Sequence, residues 1–234
     1  MSNWLLVDIL IVTIYGLQHS LLTTKTAVAI FEKVLPVYLW NIIYSAISVA
    51  VLVVGFQFWQ PSGVYLFRFI PGSLAYHLSV ILLALSLFLF FYCFRFTTSF
   101  WQWLGVKQVA VKLSGKKMPE YYRVRKDGIK RYIRFPHHTC LIFFFWLHPV
   151  MTLDTLFLAV AATFYLYVGT YHQDTRGLRL IGEDWAIYRE NTDLLLPSYR
   201  TILRMISDWR GVDDQPAVAT PTPLPAENSG SSAT

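Results

Sequence analysis

Arg134-Phe135-Pro136-His137-His138-Thr139-Cys140 begins the stretch that decides how this chain folds, and the stretch closes at Leu195-Leu196-Pro197. Two apolar segments, residues 139–149 and 152–171, lie inside it and are joined by a short turn. Polar groups flank them on both sides: Arg134 to His138 before, and His172-Gln173-Asp174, Gly182-Glu183-Asp184-Trp185 and Tyr188 after. Two apolar runs bounded in this way read as a membrane hairpin. Both of its ends emerge on the same side of the bilayer, so residues about forty positions apart converge on one surface. The expectation is a cofactor site at that surface.

The composition agrees with a membrane setting. Of 234 residues 55% are hydrophobic and 17% aromatic, and the mean hydropathy is +0.43, more than a soluble core of this size needs. A helical span takes roughly 20 apolar residues to cross about 30 Å of hydrocarbon. Residues 3–22, 39–59, 73–94, 139–149 and 152–171 approach that length. The fourth is short; it must enter obliquely, be extended by the His137-His138 region, or be re-entrant and buried in protein. The fold expected is therefore an all-α integral membrane protein with about five transmembrane helices, four being the alternative, and a cytoplasmic C-terminal helix. Residues 1–210 form the membrane domain, and the Pro-, Ser- and Ala-rich residues 211–234 read as a disordered tail.

Charge sets the expected orientation. All of the 20 Lys and Arg except Arg68 fall on one face when five spans are threaded. The positive-inside rule then puts the N-terminus outside and the large loop and C-terminus in the cytoplasm, with a bacterial inner membrane as the location. The net charge of +6 follows from that topology and from attraction to anionic lipid, and calls for no nucleic-acid partner. Met1-Ser2-Asn3 carries no basic n-region, so the first segment reads as an anchor. Cys93 and Cys140 are far apart in sequence and lie in apolar surroundings, which argues against a disulfide, and no zinc spacing is present.

Span one is not uniformly apolar. At 100° per residue Asp8, Tyr15 and His19 lie within about 40° of one face, with Gln18 adjoining. Ionisable groups within a span face a polar cavity or a partner, so Tyr15 and His19 are candidate cavity residues. Residues 94–117 interleave Trp and Val with polar residues and suit an interfacial helix.

The order of motifs resembles the membrane methyltransferases related to isoprenylcysteine carboxyl methyltransferase, which carry Arg-His-Pro before a helical hairpin and then a Glu-Glu pair, Gly and Tyr. Here the matching positions are Arg134-Phe135-Pro136, Gln173-Asp174, Gly182 and Tyr188. A closer likeness is to the methanethiol S-methyltransferases and NnrU-like proteins. It rests on Gly16-Leu17-Gln18-His19-Ser20, Phe58-Trp59-Gln60-Pro61, Leu104-Gly105-Val106-Lys107-Gln108-Val109, Pro149-Val150-Met151-Thr152 and Leu195-Leu196-Pro197, and covers about residues 4–200.

That resemblance implies methyl transfer from S-adenosylmethionine to a small or lipid-like thiol. Arg134 would clasp the donor's carboxylate, Pro136 would fix the turn that aims His137 into the pocket, and Asp174 with Gln173 would meet the ribose or the ammonium group. Trp185 and Tyr188 would cover the adenine. His137 or His138 would take the thiol proton. The sequence departs from the pattern at Phe135, which stands in place of the motif histidine, at His138 for Tyr, at Cys140 for Gly, and at Gln173-Asp174 for Glu-Glu. The rival reading is a non-methylating NnrU-like protein holding a non-covalent haem through histidines such as His19, His137, His138 and His172, or a degenerate regulatory partner.

Overall fold

The structure, a computed structural model, describes residues 3–95, 100–116, 124 and 126–210. The tail expected at 211–234 lies outside the described residues. Helices α1 (Trp4–Leu22), α3 (Trp40–Gln57), α4 (Leu74–Cys93) and α8 (Leu153–Ile181) dominate. These four, with α3 lengthened by the 3-10 turn Val37–Leu39, are long and apolar enough to cross a membrane. Their large apolar side chains are exposed around the outside, as lipid-facing helices require; Leu6, Ile81, Phe88 and Phe164 are examples. The architecture is an all-α membrane protein.

The remaining apolar helix of the hairpin is α7 (Pro136–Trp146), only 11 residues long. At 1.5 Å per residue it spans about 16 Å. Pro136 stands in its first turn, where a missing N–H is harmless, so the helix begins at the motif itself and includes both histidines. It packs between α4 and α8. His137 at its start is 5.9 Å from the Phe94 ring, and Leu147 at its end accepts a 2.6 Å hydrogen bond from Ser79 Oγ. The helix thus runs antiparallel to α4, and an extended segment follows it.

That extended segment is β2 (Val150–Thr152), paired antiparallel with β1 (Tyr65–Arg68) in the register Tyr65↔Thr152, Phe67↔Met151 and Arg68↔Val150. Tyr65–Arg68, too short to span a membrane, thus form one strand of a two-stranded ribbon. Two buried carboxylates tie the helices to it. Asp154 accepts from Ser62 N at 3.0 Å, Ser62 Oγ at 2.7 Å and Trp59 Nε1 at 3.2 Å. Asp8 accepts from Gln60 N at 3.0 Å. The carboxylate within span one therefore holds a turn at the ribbon end, away from Tyr15 and His19.

At the opposite, basic end lie α2 (Lys25–Glu32), α5 (Phe100–Trp103), α6 (Val106–Leu113), the 3-10 turn Gly128–Arg131, α9 (Glu183–Glu190) and α10 (Tyr199–Trp209). Gly105, at φ 91°, links α5 to α6. A Cβ there would collide with the backbone of Asn41 and Ile42, so glycine lets the pair sit directly on the start of α3. The described part of the expected interfacial helix is therefore two short helices. Cys93 and Cys140 are free thiols, yet the packing of α7 on α4 brings them close together despite their separation in sequence.

Candidate functional site

The site is built where the last turns of α8 leave the bundle. α8 has 29 residues, more than hydrocarbon requires, and its final third carries His172, Gln173, Asp174, Arg176 and Arg179. Gly182 breaks the helix, and α9 folds back so closely that a Cβ at Gly177 would come within 2.5 Å of the Trp185 ring. Glycine at 177 is what lets that ring reach Asp174.

Asp174 is the centre of the network and is 1% exposed. Its Oδ1 lies 3.1 Å from Arg134 Nε and accepts a 3.1 Å hydrogen bond from Trp185 Nε1; its Oδ2 lies 3.0 Å from Arg189 Nε. One carboxylate thus faces two guanidinium groups, leaving a net positive charge. Arg134 is itself buried, and its Nη1 also donates to the backbone carbonyls of Arg189 and Thr192. Burial pulls the Arg134 pKa below its ordinary value, and Asp174 opposes that shift.

Phe135, Trp185, Tyr188 and Leu195 form a small apolar core around this network. Tyr188 is 2% exposed and its hydroxyl donates to Lys130 O at 2.8 Å; burial, reinforced by Asp174, raises its pKa. Trp185 and Tyr188, expected to cover a ligand, sit in this structure as the packing that fixes Asp174. Phe135 also has a packing role, since its ring lies parallel to that of His138, with centroids 5.9 Å apart. Gln173 is exposed beside the network.

The two histidines separate by their partners. His138 Nδ1 is 2.7 Å from Thr170 Oγ1, and Thr170 Oγ1 donates to Leu166 O at 2.6 Å. Two oxygens that close need the hydroxyl hydrogen between them, so Thr170 can only accept from His138. Nδ1 therefore carries a proton, and in the neutral ring Nε2 is the nitrogen with the lone pair. Thr170 is fully buried and stands one helical turn before Asp174, so α8 orients the histidine and the carboxylate from one face. His137 lies against His138, with ring centroids 4.2 Å apart, and its buried Nδ1 has no hydrogen-bond partner among the described residues.

Tyr15 and His19 are brought together elsewhere on the bundle, with centroids 5.6 Å apart. The Tyr44 hydroxyl is 2.7 Å from His19 Nε2, Ser48 Oγ is 3.4 Å from Nδ1, and Tyr165 packs edge-on against the same ring. This is a polar aromatic cluster between α1, α3 and α8.

Arg189 and Thr170 are the residues the sequence reading passed over. Arg189 is 35% exposed at its side chain, and among the described residues only its Nε is engaged, leaving the Nη nitrogens open. Its place in the last turn of α9, four residues beyond Trp185, was the available signal. Thr170 had none, being an unremarkable polar residue within an apolar span.

A helical membrane body with a histidine and a two-arginine carboxylate at one end defines an integral membrane protein with a buried polar network at that end. Relatives give the family. The chain is 30% identical over 202 residues to the methanethiol S-methyltransferase of Pseudomonas deceptionensis, across 85% of this chain and 76% of that one. It is 24% identical over 199 residues to the methanethiol S-methyltransferase of Crocosphaera subtropica, across 82% and 74%. A third such enzyme, from a Pseudomonas strain, is 24% identical across 82% and 73%. The chain belongs to the methanethiol S-methyltransferase family. These relatives do not favour the haem-holding or degenerate alternatives. No protein-family model matches the sequence, and no solved structure matches it.

Proposed function

We propose that this chain methylates the sulfur of a small thiol, methanethiol first among them, using S-adenosylmethionine at the end of α8. The observation that carries the reading is the His138–Thr170 pair, which leaves a neutral imidazole with its Nε2 lone pair free.

The residues present suit the donor. The excess positive charge around Asp174 fits the donor's carboxylate, and the open Nη nitrogens of Arg189, backed by Arg134, are the groups that would hold it. Exposed Gln173 would meet the ribose hydroxyls. Asp174, with both oxygens engaged, acts here as the fixed point that aligns the two arginines. When bound, the donor supplies an electrophilic methyl group on a cationic sulfur.

His138 Nε2 takes the thiol proton, and the resulting thiolate is the nucleophile. Thr170 keeps the ring in the tautomer that does this. The His137 ring packs against the base, and its Nδ1, without a partner among the described residues, would be available to a polar group of either substrate. Positioning of the reacting atoms supplies much of such an acceleration, about 7–11 kcal/mol in well-oriented systems. The acceptor enters from the bilayer side. In this reading the site faces the cytoplasm of a bacterial inner membrane, with the N-terminus outside; the distribution of basic residues supports that orientation.

The test is the full chain in lipid bilayers with S-adenosylmethionine and methanethiol, reading dimethyl sulfide in the headspace. Formation of dimethyl sulfide that is lost in His138→Gln, with donor binding retained, supports the reading. Donor binding is expected to weaken in Arg189→Gln. A wild-type chain that neither binds the donor nor makes a methyl thioether overturns it.

A further inference from the structure

The helix α10 at the basic end has two faces with different fates. Tyr199, Ile202, Leu203, Ile206 and Trp209 are 75%, 41%, 48%, 41% and 85% exposed. At 100° per residue they occupy an arc of about 120°, the width of an apolar stripe that needs a partner. Leu196, 60% exposed, precedes them in the chain.

The other face is fully committed to the protein. Asp208 accepts from the Tyr132 hydroxyl, and Arg204 Nη2 donates to Arg131 O at 2.7 Å and to Asn191 O at 3.1 Å. Arg204 also lies over the Tyr132 ring at 5.2 Å. Ser198 N at the helix start donates to Asp193 Oδ2 at 2.6 Å. The stripe therefore cannot turn inward without breaking these bonds.

We propose that α10 is an interfacial anchor whose apolar stripe lies in the bilayer surface at the basic end. Three observations select lipid over a protein partner. Four apolar spans already fix a bilayer against this same body. Tyr199 and Trp209 stand at the two ends of the stripe, and these residue types settle at the headgroup level. Exposed Arg200 flanks the stripe and exposed Arg210 follows its last residue, so the charged groups next to the apolar surface are cationic, matching anionic headgroups.

The anchor bears on the site. Asp193, which receives the start of α10, also donates its N–H to Tyr132 O at 2.9 Å and accepts from Arg134 N at 2.8 Å. Lipid that seats α10 thereby steadies the backbone of Arg134 and, through it, Asp174.

The experiment uses the full chain in bilayer nanodiscs containing phosphatidylglycerol and a phosphatidylcholine brominated high on its acyl chains. The emission of Trp209 is obtained as the difference between wild type and Trp209→Phe, since the chain holds 8 tryptophans. The expected result is loss of most of that difference signal to brominated lipid and little loss to aqueous iodide. Ile202→Ser/Ile206→Ser, which leaves the bonded face intact, is expected to shift the signal to the red and open it to iodide. Quenching of wild-type Trp209 by iodide but not by brominated lipid overturns the proposal, and so does a double variant with unchanged quenching.

Discussion

His138 and His137 are neighbours in sequence with different chemistry, and Thr170 is the cause. Replacing Thr170 by Val removes the acceptor that fixes Nδ1–H, whereas Thr170→Ser keeps it. Thiol methylation is expected to fall in Thr170→Val and recover in Thr170→Ser. His138→Gln is expected to lose about 10²–10⁴-fold in kcat/KM, the ordinary worth of a positioned base. Product formation at saturating donor checks both. Asp174→Asn leaves two guanidinium groups facing each other across a buried site; breaking a buried pair costs about 3–5 kcal/mol. Thermal unfolding in a bilayer mimic is expected to show that loss. Asp193 gives a pH dependence. Although burial raises its pKa, hydrogen bonds from Thr201 and from the Ser198 amide and hydroxyl, with Arg134 nearby, bring it below the ordinary 3.8. A carboxylate depressed in the folded state contributes stability that is complete above 3.8 and is lost as pH falls through its folded value. The α10 end is therefore expected to loosen in acid, and Asp193→Asn to flatten that acid dependence of α10 amide exchange.

Among elements, the junction of α8 and α9 carries the most weight per residue. Gly177→Ala drives a methyl into the Trp185 ring, and overpacking of this kind costs about 1–3 kcal/mol. The variant is expected to release the Trp185–Asp174 bond first, seen as a change in near-ultraviolet dichroism with span helicity unchanged. This junction also marks the boundary of what could be read in advance. Long apolar runs announced α1, α3, α4 and α8, whereas the start of α7 at Pro136 was left open, its apolar run beginning only at Thr139. The β1–β2 ribbon was hidden, because Tyr65 to Arg68 lacks alternation and its partner strand lies over eighty residues away. Arg134, Asp174 and Trp185 were singled out from motif order. Their mutual bonding was not, since it depends on where α9 lands after Gly182. The contact of Cys93 with Cys140 was invisible for the same reason.

Over the whole molecule, two ends do two jobs. At the ribbon end Asp8 and Asp154 fasten turns, and at the basic end charge, histidine and aromatic packing meet. α8 joins them without a break. Its 29 residues measure about 43 Å against a hydrocarbon layer of about 30 Å. Asp154 pins one end of this rod to the ribbon, so the surplus length emerges at the other. Membrane thickness then becomes a control on the site. A thicker bilayer draws Asp174 and its arginines toward the acyl chains, and the rod answers by tilting, at a cost of fractions of a kcal/mol per Å. Methylation in nanodiscs of graded acyl length is expected to peak at one thickness and decline to either side. Such a peak would make the lipid composition of the membrane, through the length of α8, a second input to the site.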